Sequence, residues 1–251
     1  MRLKLYRPVY GTKINQGFGQ NLSCVTSTNT IITTKTDGVC PANSIPFYKT
    51  QGMLGHNGLD VAIKHGENVY HCATFTGIMA TAKDSWGGIG VDVISKEPIF
   101  FAEGDLPPEA KPFASSRVDE NGIRGYGVYV KIRYWHLLTP VGWDGKEITP
   151  GTLIGLADNT GASSGDHLHW APKWCDENGN GLATDNGYYG AFNPEPYYDH
   201  SMFIGDVLKV SPKLPAPTPL TQQEKQEISS QLTLIQKALL LLKLLVDKLF
   251  N

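Results

Sequence analysis

Short apolar runs separated by turn-forming residues fill the first 210 positions of the chain. The runs are rich in Val, Ile, Thr and Tyr, and Gly and Pro are plentiful between them, which favours strands and turns over helices. We therefore expect an all-β domain over residues 1–210. The predicted strands are Lys13–Gln16, Leu59–Ile63, Asn68–Cys72, Gly77–Ala82, Gly90–Ile94, Val128–Tyr134, Leu153–Ala157 and His167–Pro172.

Residues 95–125 interrupt the pattern between two of these predicted strands. The segment is long and rich in proline, which is typical of a surface loop. We expect a loop insertion in the β domain.

The composition changes near residue 211. Residues 211–220 carry prolines at positions 212, 215, 217 and 219, which predicts a stiff, extended linker. Residues 221–251 contain no Gly or Pro, and Thr221 with Glu224 forms a capping box that opens a helix. Apolar residues recur along this helix at the a and d positions of a heptad repeat: Ile228, Leu232, Ile235, Leu239, Leu242, Val246 and Leu249.

This amphipathic helix has two interpretations. It could pack on the chain's own β domain, or it could associate with further copies or with a partner protein. Four more leucines (240, 241, 244 and 245) widen the apolar stripe, so an isolated helix would aggregate. Because the proline-rich linker argues against folding back, we favour an oligomerisation or docking helix, with a lean toward three or more helices.

Net charge, apolar stretches and cysteine spacing give further limits on the class of protein. The formal net charge of −2 gives no bias toward nucleic acid or an anionic membrane. No apolar stretch has transmembrane length, and the N-terminal residues lack a signal-peptide core, so we expect a soluble chain without a signal peptide. None of the four cysteines forms a C-x-x-C pair, which disfavours a cysteine zinc site. Cys24 and Cys40 could form a disulfide in an oxidising compartment.

Two histidine-containing motifs are candidates for a metal site. His56 and Asp60 lie four positions apart in GHNGLD, and His167 and His169 lie two apart in DHLHW. Either spacing can place both side chains on one face of a strand. Two imidazoles and one carboxylate are ligands that zinc accepts, and a catalytic zinc site leaves a fourth position for water.

Each motif alone is common by chance, and H-x-H is more often two unrelated strand histidines than a metal site. Their joint presence with His136 in YWHL favours a zinc site. The chain contains no H-E-x-x-H motif, which excludes the helix-borne zincin arrangement.

With these motifs in place, the sequence resembles the lysostaphin-like (LytM-type) zinc metalloendopeptidases of peptidoglycan. The resemblance runs in order through most of residues 8–199, and it includes the family's H-x-G-x-D and H-L-H patterns. The five segments that carry it are PVYGTKINQGFGQN, GHNGLDVAIKHGENVYHCATFTGIM, GYGVYVKIRYWHL, ITPGTLIGLADNTGASSGDHLHW and FNPEPYYD.

The resemblance implies an antiparallel β-sheet with a groove over one catalytic zinc ion. It implies that His56, Asp60 and His169 hold the metal. His167 is then the general base or proton shuttle, and His136 is a second catalytic histidine that stabilises charge in the transition state. The implied substrates are peptide stems and cross-bridges of bacterial peptidoglycan.

The chain departs from the family pattern at residues 95–125 and 173–190, which leaves the specificity for the cleaved bond open. The second of these segments is similar to the start of a calcium loop. Its twelfth position is Gly187 rather than Glu, so a polar turn is the alternative to a calcium site. The candidate calcium ligands are Asp176, Asn178, Asn180 and Asp185.

These observations predict a zinc metalloendopeptidase that cuts peptidoglycan. The proline-rich linker, the heptad helix and the missing signal peptide suit a lysin on a phage tail that opens the cell wall during entry. The alternatives are a structural tail component that uses the β domain as a binding module, and a free endolysin that acts at host lysis. The expected partners are peptidoglycan and, through residues 221–251, further copies or a tail protein.

Overall fold

Two antiparallel strands at the centre of a nine-stranded sheet organise the structure. The computed structural model describes residues 1–210, so the predicted linker 211–220 and helix 221–251 lie outside the described residues. The helices are α1 (Phe47–Thr50) and α2 (Ile204–Val210), with 3₁₀ turns at Pro108–Phe113 and Glu195–Tyr197. The strands are β1 (Leu5–Arg7), β2 (Ile14–Gln16), β3 (Ser23–Thr26), β4 (Ile31–Thr33), β5 (Ser44–Pro46), β6 (Leu59–Ala62), β7 (Asn68–Tyr70), β8 (Gly77–Lys83), β9 (Ile89–Ser95), β10 (Ile99–Ala102), β11 (Ser115–Val118), β12 (Arg124–Trp135), β13 (Leu137–Pro140), β14 (Glu147–Ile148), β15 (Leu153–Ala157), β16 (His167–Cys175) and β17 (Tyr198–Phe203).

The large sheet follows the order β14-β8-β9-β12-β16-β6-β2. β10 and β11 pair with the first half of β12, while its second half lies between β9 and β16. Two further sheets, β13-β15-β7 and β4-β3-β5, are also antiparallel, and β1 and β17 form a parallel pair. No helix of the described residues is long and apolar enough to cross a membrane.

The predicted mainly β fold is confirmed, and every predicted strand is present with small shifts at its ends. The expectation that residues 95–125 form only a surface loop is wrong. This segment contains β10, the 3₁₀ turn and β11. Ile99, Phe100 and Phe101 of β10 are buried, because pairing with β12 gives this short apolar run a ladder and a core to pack against. The surrounding prolines favoured a loop in the sequence, although the segment contains a strand of four residues.

β16 shows how the sheet separates its two faces. Leu168, Trp170 and Trp174 are fully buried and join the main core. The intervening residues His167, His169 and Lys173 line a groove on the opposite face. Because successive side chains of a strand point to opposite faces, one strand supplies both the core and the site.

The small β4-β3-β5 sheet forms part of one groove wall, where Ile31 and Thr33 face the opening. A disulfide between Cys24 and Cys40 ties β3 to the loop before β5. Such a bond stabilises the fold mainly by restricting the unfolded chain. The pairing that the sequence left open is therefore present in the structure.

His71 is a buried structural histidine in the core. Its Nδ1 lies 3.1 Å from Tyr134 Oη and its Nε2 lies 2.9 Å from the carbonyl oxygen of Phe75. Tyr134 Oη also accepts the Cys72 backbone N–H at 2.8 Å. Burial lowers the pKa of His71 from 6.5 to about 4, because charging the ring inside the core costs solvation energy.

We predict that His71 makes the protein lose stability in acid. Its pKa is lowered in the folded state, so the unfolded chain takes up a proton first as the pH falls. The stabilisation is therefore complete above pH 6.5 and is lost as the pH falls toward about 4. Urea unfolding from pH 7 to pH 4 should show a loss of free energy of unfolding that is about 3 kcal/mol smaller in His71→Gln than in the wild type. Equal pH slopes in the two proteins would contradict this assignment.

Candidate metal centre

Three side-chain atoms from three positions of the chain converge on one point of the groove floor. His56 Nε2 lies 2.9 Å from His169 Nδ1, and Asp60 Oδ1 lies 3.1 Å from His56 Nε2 and 3.0 Å from His169 Nδ1. The structure thus brings together the three residues that the sequence predicts as metal ligands.

Strand register places two of the three ligands. β6 and β16 pair so that Asp60 lies directly opposite His169. Directly opposed residues of an antiparallel pair point to the same face, with their Cβ atoms about 5 Å apart. A slip of one residue would turn His169 into the core, so the pairing itself defines the site.

The third ligand is held by the turn that follows β2. His56 Nδ1 donates to the carbonyl oxygen of Gly17 at 3.1 Å. The backbone of His56 is fixed as well, because its N–H donates to Gln20 O and its carbonyl accepts from Gly19 N–H. A Cβ at Gly55 would lie only 2.1 Å from Gly19 O. The close approach therefore requires glycine, and it fixes the ring with Nε2 directed at the cluster.

Burial and the neighbouring charges have opposite effects on the pKa values of the clustered side chains. Burial by itself would raise the pKa of Asp60, but the adjacent His56 and His169 hold that pKa well below its usual range. Burial lowers the pKa of His169 to about 4, against the opposing effect of the Asp60 carboxylate. An ionised carboxylate beside a neutral imidazole is the protonation state that metal coordination requires.

Two further histidines lie beside the cluster. His167 Nε2 is 3.7 Å from Asp60 Oδ1, while His167 Nδ1 is 2.8 Å from the carbonyl oxygen of Gly165. The His136 ring lies 4.5 Å from the His167 ring, between centroids. Burial and the neighbouring His167 lower the pKa of His136. Both histidines therefore occupy positions from which they can exchange protons with a ligand at the cluster.

His136 is held in a strained backbone conformation between β12 and β13. Its φ of 63° lies in the left-handed region, which non-glycine residues rarely adopt. Its Nδ1 donates to the carbonyl oxygen of Thr160 at 2.6 Å, and its carbonyl accepts from Asp158 N–H. Strain of this kind persists where the surroundings fix it, which is common at functional sites.

The cluster lies in an open groove of about 680 Å³. The residues that line it include Tyr48 of α1, Ile31 of β4, Trp86 and Ser163. The size matches that of a site for an extended ligand rather than for a single ion.

Several residues that support the site were missed by the sequence reasoning. Ser163 Oγ lies 3.2 Å from His167 Nδ1, and the Thr160 carbonyl oxygen accepts a hydrogen bond from His136 Nδ1–H. Tyr48 packs beside the His56 ring and bonds to Gln16. Burial and the nearby Asp60 raise the Tyr48 pKa. Ser163 and Thr160 lie within a motif quoted above, but nothing in the sequence around Tyr48 signals its position.

The candidate calcium ligands form a polar turn. Both oxygens of Asp176 are engaged: Oδ1 accepts from the backbone of Asn178 and Asn180, and Oδ2 accepts from the Asn180 side chain. These bonds account for the turn geometry, and calcium binding at Asp176, Asn178, Asn180 and Asp185 stays a prediction.

The remaining histidines lie away from the cluster. His65 Nδ1 contacts Asp158 Oδ1 at 2.9 Å, near Asp166, in an exposed position. His200 pairs with Glu195 at the surface. Neither residue reaches the groove.

The donor set fits zinc. Tetrahedral ligands about 2.0–2.1 Å from a zinc ion lie roughly 3.3 Å from one another, and the three atoms here are 2.9–3.1 Å apart. Two imidazole nitrogens and one carboxylate oxygen are also a ligand set that zinc uses in catalytic sites. His56, Asp60 and His169 would therefore hold the ion, with the Gly17 carbonyl orienting the His56 ring.

No protein-family model matches the sequence, and no curated protein sequence matches it. Solved structures similar to this chain include the catalytic domain of the antimicrobial peptidase lysostaphin from Staphylococcus simulans, at 19% identity and a TM-score of 0.36 over 57% of this chain and 78% of that one. A zinc-containing peptidase from Vibrio cholerae is similar at 20% identity and a TM-score of 0.40, over 73% of this chain but only 39% of the other. The catalytic domain of the prophage-encoded protein EnpA from Enterococcus faecalis is similar at 16% identity and a TM-score of 0.35, over 57% of this chain and 78% of that one.

We predict that Gly58→Ala weakens zinc binding. An added Cβ would lie 2.7 Å from Cε1 and 2.9 Å from Nε2 of His169, and 2.6 Å from the carbonyl oxygen of Trp170. The ligand ring must then shift, which should lower zinc affinity by about tenfold or more in a chelator competition assay. Gly104→Ala is the matched control, since a Cβ there meets nothing within 4 Å. Equal affinities in the two variants would show that Gly58 does not position the ring.

Proposed function

We propose that the chain is a zinc metalloendopeptidase that hydrolyses peptide bonds in bacterial peptidoglycan. One observation carries the proposal: His56, Asp60 and His169 converge on the groove floor with two further histidines beside them. The combination supplies a metal site, a proton acceptor and a second polar group around one reacting centre, as peptide hydrolysis requires. The ordered motifs of the sequence support the same reaction.

A zinc ion held by the three ligands supplies Lewis-acid polarisation of the scissile carbonyl and of a water molecule. The three residues that would hold the ion leave one of its usual four positions for water, as in other catalytic zinc sites.

His167 is placed to move the protons of the reaction. Its Nδ1–H is held by the Gly165 carbonyl, which leaves the lone pair of Nε2 directed toward Asp60 and the reacting centre. Nε2 can accept a proton from the attacking water as the new C–O bond forms. The same proton then passes to the amine nitrogen as the C–N bond breaks.

His136 completes the polar surroundings of the carbonyl group. Its Nδ1–H is committed to Thr160 O, so the opposite edge of the ring faces the His167 side of the groove. With a second proton, on Nε2, the ring would be a cation and a hydrogen-bond donor in this position, which stabilises negative charge on the carbonyl oxygen. The left-handed backbone at His136 keeps the ring in place before substrate binds.

The setting of the enzyme is part of the proposal. The proline-rich linker and the heptad pattern of residues 211–251 support an enzyme tethered to a phage tail through an oligomeric helix. A free endolysin and a structural tail protein with a wall-binding β domain are the alternatives.

We predict that the zinc-loaded protein releases new amino termini from purified peptidoglycan and that His169→Ala reduces this release to background. His136→Ala should slow it by about 10²–10⁴-fold, the usual contribution of one acid or base group. Both variants should keep the melting temperature of the zinc-free wild type. Their activity loss would then be chemical and not a failure to fold.

His200→Ala is the matched control, because His200 is exposed and its contacts, with Glu195 and the Tyr198 ring, lie outside the groove. It should cleave at the wild-type rate. The proposal fails if zinc-loaded wild type cuts no peptidoglycan from any of several cross-bridge types.

The placement on a phage tail predicts that the chain is a component of purified phage particles. Mass spectrometry of such particles should detect peptides from residues 1–251, and their absence would contradict the placement while leaving the peptidase activity untouched.

A further inference from the structure

The groove floor continues beyond the metal ligands into a cationic region. Along β16, the groove-facing positions after His169 are Ala171 and Lys173. On the neighbouring β12, Arg133 lies opposite Ala171 and Lys131 lies opposite Lys173. The two central strands therefore carry three cationic side chains on the face that holds the metal ligands.

A single carboxylate compensates two of these cations. Asp92 of β9 accepts two hydrogen bonds from Arg133, each 2.8 Å long. Lys131 Nζ lies 3.0 Å from Asp92 Oδ2 of the same carboxylate. It also donates to the carbonyl oxygen of Gly179 at 2.8 Å. Asp92 thus pairs with both Arg133 and Lys131 within the sheet.

Lys173 is the one of these three cationic side chains that does not pair with Asp92. Only 8% of the residue is exposed, yet within residues 1–210 its ammonium group has no hydrogen-bond or ion-pair partner. Burial and repulsion from Arg133 lower the pKa of Lys173 to about 7. A charge on a mostly buried lysine is costly unless it is paired. The groove is the side from which an anionic partner can reach Lys173 Nζ.

We propose that Lys173, with Arg133 beside it, is a subsite that binds a carboxylate group of the peptide substrate. The inference deepens the proposed peptidase function and rests on it, because it names a feature of the substrate: a free carboxylate near the cleaved bond. An uncharged methionine could fill the same volume without the cost of burying a charge, so packing alone does not account for Lys173.

Strand geometry sets the distance between this subsite and the cleaved bond. Lys173 follows His169 by four positions, which corresponds to roughly 13 Å along β16. An extended peptide advances about 3.3–3.6 Å per residue. With the length of the lysine side chain, the carboxylate lies about two to four residues from the cleaved bond. A side-chain carboxylate and a chain-terminal carboxylate both satisfy this requirement.

The test compares two substrates and two variants of the full-length, zinc-loaded protein. One portion of purified peptidoglycan is left untreated, and the other has its free carboxyl groups converted to amides with carbodiimide and ammonia. The wild type should cut the untreated portion about tenfold faster or more, since a hydrogen bond to a charged group is lost on amidation. Equal rates would overturn the subsite and leave the peptidase proposal standing.

Lys173→Met should cut the untreated portion as slowly as the wild type cuts the amidated one, with no change on the amidated portion. A variant that slows on both substrates equally would show a structural role and overturn the proposal. Lys111→Met is the matched control: Lys111 is exposed in the 3₁₀ turn, outside the groove, and both of its rates should equal those of the wild type. If Lys173→Met does not fold, the comparison of the two substrates with wild type decides the question.

If the wild type cuts neither portion, the peptidase proposal fails and binding still tests the subsite. Co-sedimentation should then retain the wild type on untreated peptidoglycan and release it after amidation, and equal retention would overturn the subsite.

Where cleavage occurs, mass spectrometry of products from partly amidated peptidoglycan distinguishes the two carboxylate sources. Free carboxylates should lie at one fixed distance from the new terminus, on a side chain or at a chain end, and a random distribution would contradict the proposal.

Discussion

The register between β6 and β16 is the constraint on which the site depends. It places Asp60 opposite His169 and directs both side chains to the groove. The same register sends Leu168 and Trp170 into the core, so the packing energy of the fold maintains the alignment of the ligands. A core that fixes the pairing of these strands thereby fixes the positions of Asp60 and His169 in the candidate metal site.

The spacing of the two motifs indicated a candidate metal site, and the choice of His56, Asp60 and His169 as its ligands depended on the resemblance to a family. His167 and His169 share one face of β16, whereas Asp60 lies in β6 and His56 lies in the loop before it. The roles proposed for His136 and His167 also depended on that resemblance, since nothing in their local spacing distinguishes a base from a ligand. The disulfide between Cys24 and Cys40 stayed open because pairing depends on distances that a sequence does not contain.

Other features depend on contacts between distant segments and could not be predicted. Gly17 orients His56 through a backbone carbonyl, a group that every residue carries. Lys173 becomes unusual only because β12 and β9 place Arg133 and Asp92 beside it. The strand β10 was concealed by prolines on both sides, and its burial depends on pairing with β12, a partner over twenty residues away. In each case the local sequence is ordinary, and contacts with distant segments determine how the residue or strand is placed.

The site combines groups that are far apart in the chain. Asp60 and His169 are separated by 109 positions, and His56 and His169 by 113. Such contacts require the closing of a long loop, and the entropy of that closure opposes them until the paired strands contribute stability. A chain still emerging from the ribosome therefore has no complete ligand set until β16 has been synthesised and has paired with β6. Zinc bound by the finished protein, and not by its partly folded forms, would shift the equilibrium toward the folded state in proportion to the logarithm of its concentration.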